Sequence, residues 1–249
     1  MREPEYRRVA ADLRAKIESG ELAPGQVIPS ESDLMAQYGV GRNTVRAAVS
    51  ELAAVGLVAG RQGKGRYVRQ PDVLRVWGAR VRDSGRESDA GLVDKWTEDV
   101  SAQGRIPGQV IEVHLLVATD EIAQRLQVST GEPVVVRRRI QTVDGDPWRL
   151  SETYFPLDLV AGTRILEPVN IEEGVVRYLA NLGQRVTLNK DELSARMPTV
   201  DEARILALAV GTPVLVQLRT AYDGAHAVRT SRVVTPGDRV RLIYEMKSS

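Results

Sequence analysis

Cysteine is absent from the 249-residue chain. Its absence excludes disulfides, thiolate metal sites and a cysteine nucleophile, and it fits a reducing compartment, so the cytoplasm is the expected location. Histidine is almost as scarce, with His114 and His226 as the only two. A histidine-built metal site is not expected, and neither is a cofactor. Long apolar runs are missing as well. None reaches the roughly 20 residues that cross a bilayer as a helix, and the opening "MREPEYRR" lacks the apolar core of a signal peptide. No membrane partner is expected. A strong charge of either sign is also lacking, since the net charge is +1. Only its distribution informs. Residues 1–70 hold 11 Lys/Arg against 8 Asp/Glu, and the remainder holds 23 against 25. A weakly basic first segment on a weakly acidic body suits a small nucleic-acid module joined to a second domain.

What the sequence does have is periodicity. Val9, Leu13 and Ile17 recur every four residues and predict a helix from Pro4 to Ser19, stopped by Gly20. "ELAPGQVIPS" reads as a loop that turns at Pro24-Gly25. Ser30 stands three residues before Asp33, a capping-box variant that opens a short helix ending at Gly39. A third helix is expected over Arg42–Val55, with Val45, Val49 and Leu52 as its buried stripe and Gly56 as its stop. "LVAGRQGKGRYV" then reads as two short strands around a basic, glycine-rich turn. Helix, short helix, tight turn, helix and hairpin form the layout of a winged helix-turn-helix, in which the second turn-linked helix enters the DNA major groove.

The third helix opens on Arg42, Asn43, Thr44 and Arg46. Two arginines at the positive end of a helix dipole are unfavourable unless something negative docks there. The buried stripe leaves Arg42, Asn43 and Arg46 facing outward. Arginine can bond a guanine edge bidentately, and Asn43 can read adenine or hold a phosphate. Thr44 suits a backbone phosphate. In the hairpin, Gln62, Gly63, Lys64, Gly65 and Arg66 make a small, positive tip. Such a tip can enter a minor groove or grip phosphates, because glycine lets the backbone approach closely. The ordinary alternative is a solvated helix start followed by a surface turn.

Residues 1–70 are thus expected to form the DNA-binding domain, residues 71–91 a linker and residues 92–249 a second domain. "RDSGRESDAG" is polar and aperiodic, as a linker should be. Before it, Val73, Val76, Trp77 and Val81 could form an apolar stripe. The second domain contains an internal repeat. "DEIAQRLQVSTGEPVVVRRRIQTVDGDP" resembles "DEARILALAVGTPVLVQLRTAYDGAH", with Gly131-Glu132-Pro133 matching Gly211-Thr212-Pro213 and Arg139 matching Arg219. Each copy reads as a short helix, a turn, an apolar strand, a DG hairpin and a return strand. "GQVIEVHLLVA" adds a strand, and a helix at Ile171–Asn181 and a strand at Gln184–Arg196 lie between the copies. The expected class is α+β, a pseudo-twofold antiparallel sheet with helices on one side. Trp77, Trp96 and Trp148 read as packing anchors. His226 is expected in solvent, and His114 is expected on a strand, in the core or at the surface.

Strand parity places Arg137 and Arg139 on one face of the strand after Pro133. On the return strand Trp148, Leu150, Glu152 and Tyr154 share a face. A two-residue turn pairs Arg137 with Glu152, and a four-residue loop pairs Arg139 with Glu152. Both registers bring Arg137, Arg139, Glu152 and Tyr154 onto one face, and a bulge would break this. Two guanidiniums against one carboxylate favour an anionic ligand such as a phosphate or carboxylate. The alternative is a cross-strand ion pair on a solvated face.

"IPSESDLMAQYGVGRNTVRAAVSELAAVGLVAGRQGKGRYV" closely resembles the DNA-binding domain of GntR-type bacterial transcription regulators. The match spans Tyr6 to Val68. It is carried by Pro29-Ser30-Glu31, Arg42-x-Thr44-Val45-Arg46, Leu52 with Gly56-Leu57-Val58, and the wing Gly63-x-Gly65-x-Tyr67-Val68. The resemblance implies DNA contacts from Arg42, Asn43, Thr44 and Arg46 and from Gln62 and Gly63. Ser32 stands where many relatives carry a phosphate-contacting arginine, and Gly41 where serine or threonine is usual. The second domain resembles the UTRA effector domain of the HutC subfamily, whose fold is similar to chorismate lyase. The Gly-x-Pro-x-x-x-x-Arg-x-Arg run and "DGDPWRLSETYFP" carry that match. It implies that Arg137 and Arg139 hold an anionic effector group and that Ser151, Thr153 and Tyr154 lie in the segment that supplies hydroxyl contacts. "AHAVRTSRVV" lacks the late carboxylate of some sugar-phosphate-binding relatives. The expected protein is a dimeric, effector-responsive repressor on a palindromic DNA operator. Two alternatives stand beside it: a ligand-independent repressor whose second domain only dimerises, and a lyase-like enzyme, for which no acid/base pair stands out.

Overall fold

The computed structural model describes residues 4–61, 65–69, 73–79 and 95–245, without the side chains of 61, 77–79 and 95. The described chain divides into two compact units, the first of 4–69 and 208–212 and the second of the rest.

The first unit holds α1 (Glu5–Glu18), α2 (Glu31–Tyr38) and α3 (Arg42–Ala54), then a hairpin of β1 (Val58–Arg61) and β2 (Gly65–Val68). Its helix starts and stops follow from local chemistry. Ser30 Oγ accepts from the Asp33 amide at 3.2 Å while Asp33 accepts from the Ser30 amide at 3.1 Å, the reciprocal box that satisfies two orphan donors. Gly39, at φ 65°, ends α2 in the left-handed region that glycine occupies without strain. Val9 and Leu13 of α1, Leu34 of α2, Val45, Val49 and Leu52 of α3, and Val58 and Val68 of the hairpin share one buried cluster. Burying each such side chain contributes about 1.5–3 kcal/mol, which offsets the cost of ordering so small a unit.

The second unit begins with β3 (Leu74–Ala79), inside the segment expected to be a linker. It pairs in parallel with β10 (Val240–Tyr244), the last described strand. Leu74 and Val76 alternate into a cluster with Trp96, Val100, Val143 and Trp148, so this stretch is ordered by packing. Val73 is exposed, and Val81 and the side chain of Trp77 lie outside the described residues. Trp96 and Trp148 are buried packing anchors in that cluster.

After α4 (Lys95–Ser101) come β4 (Pro107–Val117), α5 (Asp120–Leu126), β5 (Pro133–Val143) and β6 (Asp146–Pro156). Next are α6 (Leu157–Val160), a 3-10 turn (Arg164–Leu166), α7 (Val175–Asn181) and β7 (Leu188–Arg196). The chain closes with α8 (Val200–Ile205), β8 (Val214–Asp223), β9 (His226–Pro236) and β10. The main sheet is six-stranded and antiparallel, in the order β4-β5-β6-β9-β8-β7. The repeat is visible in it. β6 meets β9 at Glu152↔Arg232, positions 80 residues apart, and the pairs Thr153↔Ser231 and Ser151↔Val233 flank that point symmetrically.

Helices cover both faces of the sheet, which corrects the one-sided arrangement expected from sequence. Val135 and Phe155 pack with Val160, Ile165, Ile171 and Leu179 on one face. Val134 packs with Ala123 and Leu126 of α5 on the other. The reason is the uninterrupted Val134-Val135-Val136 run: successive residues point to opposite faces, so both need cover. Among the described residues no helix is long and apolar enough to cross a membrane.

Candidate nucleic-acid interface and effector face

The start of α3 presents the sequence-predicted DNA residues largely as expected. Val45, Ala48, Val49 and Leu52 are buried, and Arg42, Asn43 and Arg46 are exposed, with Thr44 half-buried. Ala47 and Ser50, which the sequence reading did not single out, extend the same exposed surface. Gly41 caps the helix without a side-chain hydrogen bond, so the terminal amides are left open. The counter-charge for the two arginines comes from Glu31, in the first turn of α2. Arg46 Nε lies 3.2 Å from Glu31 Oε1, and Arg42 Nε lies 3.8 Å from Oε2. In the sequence Glu31 is legible only as part of a helix start. The arginine side chains are 63% and 68% exposed, so these pairs are weak and exchangeable for phosphate. In the hairpin, Arg61↔Gly65 is the last pair before the tip, and Gln62, Gly63 and Lys64 lie outside the described residues. Gly65 sits at φ +80°, where a side chain would be strained, and Arg66 is half-buried beside it.

The effector face differs from the sequence expectation through one register shift. Val143↔Asp146 and Thr142↔Pro147 show the expected two-residue turn at Asp144-Gly145, both with positive φ. The register then shifts between Gln141 and Thr142, because Trp148 has no partner on β5. Beyond this bulge Arg137 pairs with Thr153, Arg138 with Glu152 and Arg139 with Ser151. Arg137 and Arg139 therefore share a face with Ser151 and Thr153, and Glu152 and Tyr154 lie on the opposite face. There Glu152 binds Arg232 at 2.7 Å and stands 3.5 Å from Arg138. Tyr154 donates its hydroxyl proton to the same carboxylate at 3.4 Å. The second repeat carries the same bulge, with Val228 left out between Ala227 and Arg229.

On the arginine face, pairing builds two polar rows across the centre of the sheet. Arg137, Thr153, Ser231 and Arg219 form one, and Arg139, Ser151, Val233 and Gln217 the next. Ser151, Thr153 and Ser231 are buried, with Ser231 and Thr153 hydroxyls 3.1 Å apart. Ser231, Arg219 and Gln217 come from the second repeat, and strand parity within the first hairpin does not reach them. The repeat alignment, Arg139 to Arg219, was the available signal. The two arginines at the ends of the first row differ. Arg219 is gripped by Asp191 through Nε and Nη2, both at 2.6 Å, and Asp191 also accepts from Gln217 at 3.0 Å and from the Tyr244 hydroxyl at 2.6 Å. Arg137, 3% exposed, donates instead to three backbone carbonyls: Ile165 at 2.8 Å, Glu167 at 2.6 Å and Val169 at 2.8 Å. Burial and, secondly, the Arg139 charge pull the Arg137 pKa down to about 10, which still leaves it protonated at neutral pH. This end of the face is therefore positive, and its arginine also holds a loop.

Two carboxylates tie stability to pH. Burial pushes Asp191 up, but bonds from Arg219, Tyr244 and Gln217 outweigh it and hold its carboxyl below the usual range. Hydrogen bonds from Arg196, at 2.6 and 2.7 Å, do the same for Glu202. A folded-state pKa below the unfolded value, about 4 for such groups, means the stabilisation is complete above that value and fades as pH falls through the folded one. Thermal melts should therefore show stability falling below about pH 4, with a shallower acid slope in Asp191→Asn than in the wild type. Parallel slopes would remove Asp191 from the account. Among the described residues no group of His, Asp and Glu could hold a metal ion.

With this geometry in hand, the chain can be set beside known proteins. Residues 102–241 match the family described as UTRA domain, and residues 5–68 match that described as Bacterial regulatory proteins, gntR family. The HTH-type transcriptional repressor NagR of Bacillus subtilis is 28% identical over 248 residues, covering 98% of this chain and 95% of that one. A histidine utilization repressor of Pseudomonas putida is 28% identical over 244 residues, covering 96% and 90%. A crystal structure of a GntR-family transcriptional regulator superposes with a TM-score of 0.66 at 30% identity, covering 99% of each chain.

Proposed function

The chain belongs to the GntR family of bacterial regulatory proteins and carries a UTRA domain, and on that premise we propose that it is a dimeric repressor whose hold on a palindromic operator is set by a small anionic effector. The observation that carries the DNA half is the exposed trio Arg42, Asn43 and Arg46 on the first turns of α3. A helix start offers open amides and a positive dipole end, and two guanidiniums add charge and bidentate donors. Phosphate or a guanine edge replaces Glu31 as their partner, with the half-buried Thr44 placed for the backbone. The wing residues Gln62, Gly63, Lys64 and Gly65 are proposed to grip the adjacent groove. One such domain per subunit reads one half-site.

The effector is proposed to lie over the polar rows, with Arg139 meeting its anionic group and Ser151 and Thr153 supplying hydroxyls. Arg137 adds charge while its N–H groups stay with the Ile165–Val169 segment. Glu152 and Tyr154, on the far face, support the floor from below. The effector acts by favouring one arrangement of the DNA-binding domains, and a few kcal/mol of preference is enough to swing occupancy from mostly bound to mostly free. The ligand-independent reading keeps one specific support, the engagement of the Arg137 guanidinium with backbone carbonyls. The relatives and the similar solved structure are transcriptional regulators, which supports regulation over catalysis, and a cytoplasmic site of action is proposed with that function.

Selection of bound duplexes from random DNA tests the proposal. A palindrome with half-site centres about 34 Å apart, one turn of B-DNA, is the expected outcome. Recovery of no preferred sequence at moderate salt would sink it. Melting the protein with a panel of small phosphates and carboxylates tests the effector half, and the absence of any stabilisation favours the ligand-independent repressor.

A further inference from the structure

The main sheet has two edges, β4 and β7, and they are protected very differently. β7 carries Lys190, Asp191, Glu192 and Arg196 in nine residues, the charged pattern that discourages edge-to-edge pairing. β4 runs for eleven residues with Glu112 as its single formal charge. Four large aliphatics on it are open to solvent, Val110 at 57%, Leu115 at 63%, Leu116 at 48% and Val117 at 68%. A long, apolar edge of this kind pairs with something.

We propose that β4 pairs antiparallel with β4 of a second copy of this chain, with Val113 on the twofold axis. This deepens the dimeric reading above and rests on it. The side-chain complementarity selects both the partner and the register. A twofold interface sets a strand against itself. Centred on Val113, the pairing brings Val110 opposite the second copy's Leu116, Ile111 opposite Leu115 and Glu112 opposite His114, each twice. On the face where Val113 aligns with Arg137, the central pairs Val113–Val113 and Ile111–Leu115 are then aliphatic, and Gln109 meets Val117 at the two ends. On the other, the Glu112–His114 contacts lie between apolar pairs. Other centres fail on the same residues. A shift to Glu112 sets that carboxylate against itself, which is destabilising. A shift to His114 puts Glu112 against Leu116, and a half-step pairs Glu112 with Val113 or with Leu115. The imidazole of His114 already lies 3.6 Å from Glu112 on the same exposed side of the strand, so both groups are positioned to cross-pair.

The absence of cysteine makes the test clean. In the proposed register the two Val113 positions are directly opposed, with Cα atoms about 4.5–5.5 Å apart, inside the range a disulfide spans. The two Val117 positions are eight residues out of step, about 27 Å apart along the strand. The full-length Val113→Cys variant should therefore form a covalent dimer on mild oxidation, and Val117→Cys should not. Val110→Lys with Leu115→Lys alters only exposed side chains, so the fold should be retained while sedimentation shows dimer dissociation rising by about 100-fold or more. Failure of Val113→Cys to cross-link, or equal cross-linking of Val117→Cys, overturns the pairing. A dimer that survives the double lysine variant overturns this surface and leaves the dimeric reading standing. A wild-type chain that sediments as a monomer overturns both.

Discussion

Replacing Arg137 with alanine should destabilise the second unit by about 3–5 kcal/mol, an effect set by hydrogen bonds to a charged donor and by the acceptors stranded without it. The guanidinium is 3% exposed and donates to the carbonyls of Ile165, Glu167 and Val169. Those carbonyls belong to the segment that brings Ile165 into the cluster over the sheet. Alanine leaves three acceptors without their donor and a space where a long side chain lay. Lysine should recover only part of the loss, because an ammonium is a point donor and lacks the planar fork that spans several carbonyls. Urea denaturation monitored by tryptophan fluorescence measures it. A variant within 1 kcal/mol of wild type would show that the segment is held by other means; the threshold is roughly one ordinary hydrogen bond. Changing Arg137 and Arg139 together would therefore confound stability with effector response. Arg139→Ala alone is the cleaner probe, and it should abolish the effector's influence while operator binding survives.

Operator affinity is where the second large effect should appear. Arg46→Ala is expected to weaken specific binding by about 1–3 kcal/mol, the range for one bidentate base contact, and to lower the salt dependence if the contact is to phosphate. The fold should be untouched. Arg46 is exposed at the helix surface, and its pairing with Glu31 is of the exposed kind that contributes little. Anisotropy titrations on the selected operator at fixed salt, beside thermal melts of the same preparations, separate the two. Unchanged affinity would remove Arg46 from the recognition surface. Arg42→Ala should follow the same pattern, since the same carboxylate serves both arginines.

The helical part of the first unit was legible because each of its signals is local. Ser30 and Asp33 lie one turn apart, Gly39 sits at the helix exit, and Val45, Val49 and Leu52 line one side. In each case a few neighbouring residues settle the conformation. The hairpin turn at Asp144-Gly145 was local too. The register beyond it was not. Trp148 is displaced from the ladder and buried with Leu74, Val76 and Trp96, residues distant in sequence from its own hairpin. Val228, in the second repeat, is likewise displaced and buried. One extra residue in a strand of period two reverses the facing of the residues beyond it, and so Glu152 and Tyr154 left the face of Arg137 and Arg139. The burial of a side chain against remote strands chose the register, and no short-range pattern encodes that choice.

Taken alone, the amino-acid order settled the kind of molecule this is. It showed a turn-linked pair of helices with cations at the entry to the second, and a duplicated strand-turn-strand unit behind them, because periodicity, caps and turn residues act within a few positions of chain. Tertiary structure decided which groups meet. It placed Glu31 beneath two arginines, ordered Leu74–Ala79 against β10, covered both faces of the sheet and turned Arg137 towards three carbonyls. Those pairings depend on burial and register summed over segments far apart in the chain, where free-energy differences of a few kcal/mol choose between arrangements that look equally allowed strand by strand.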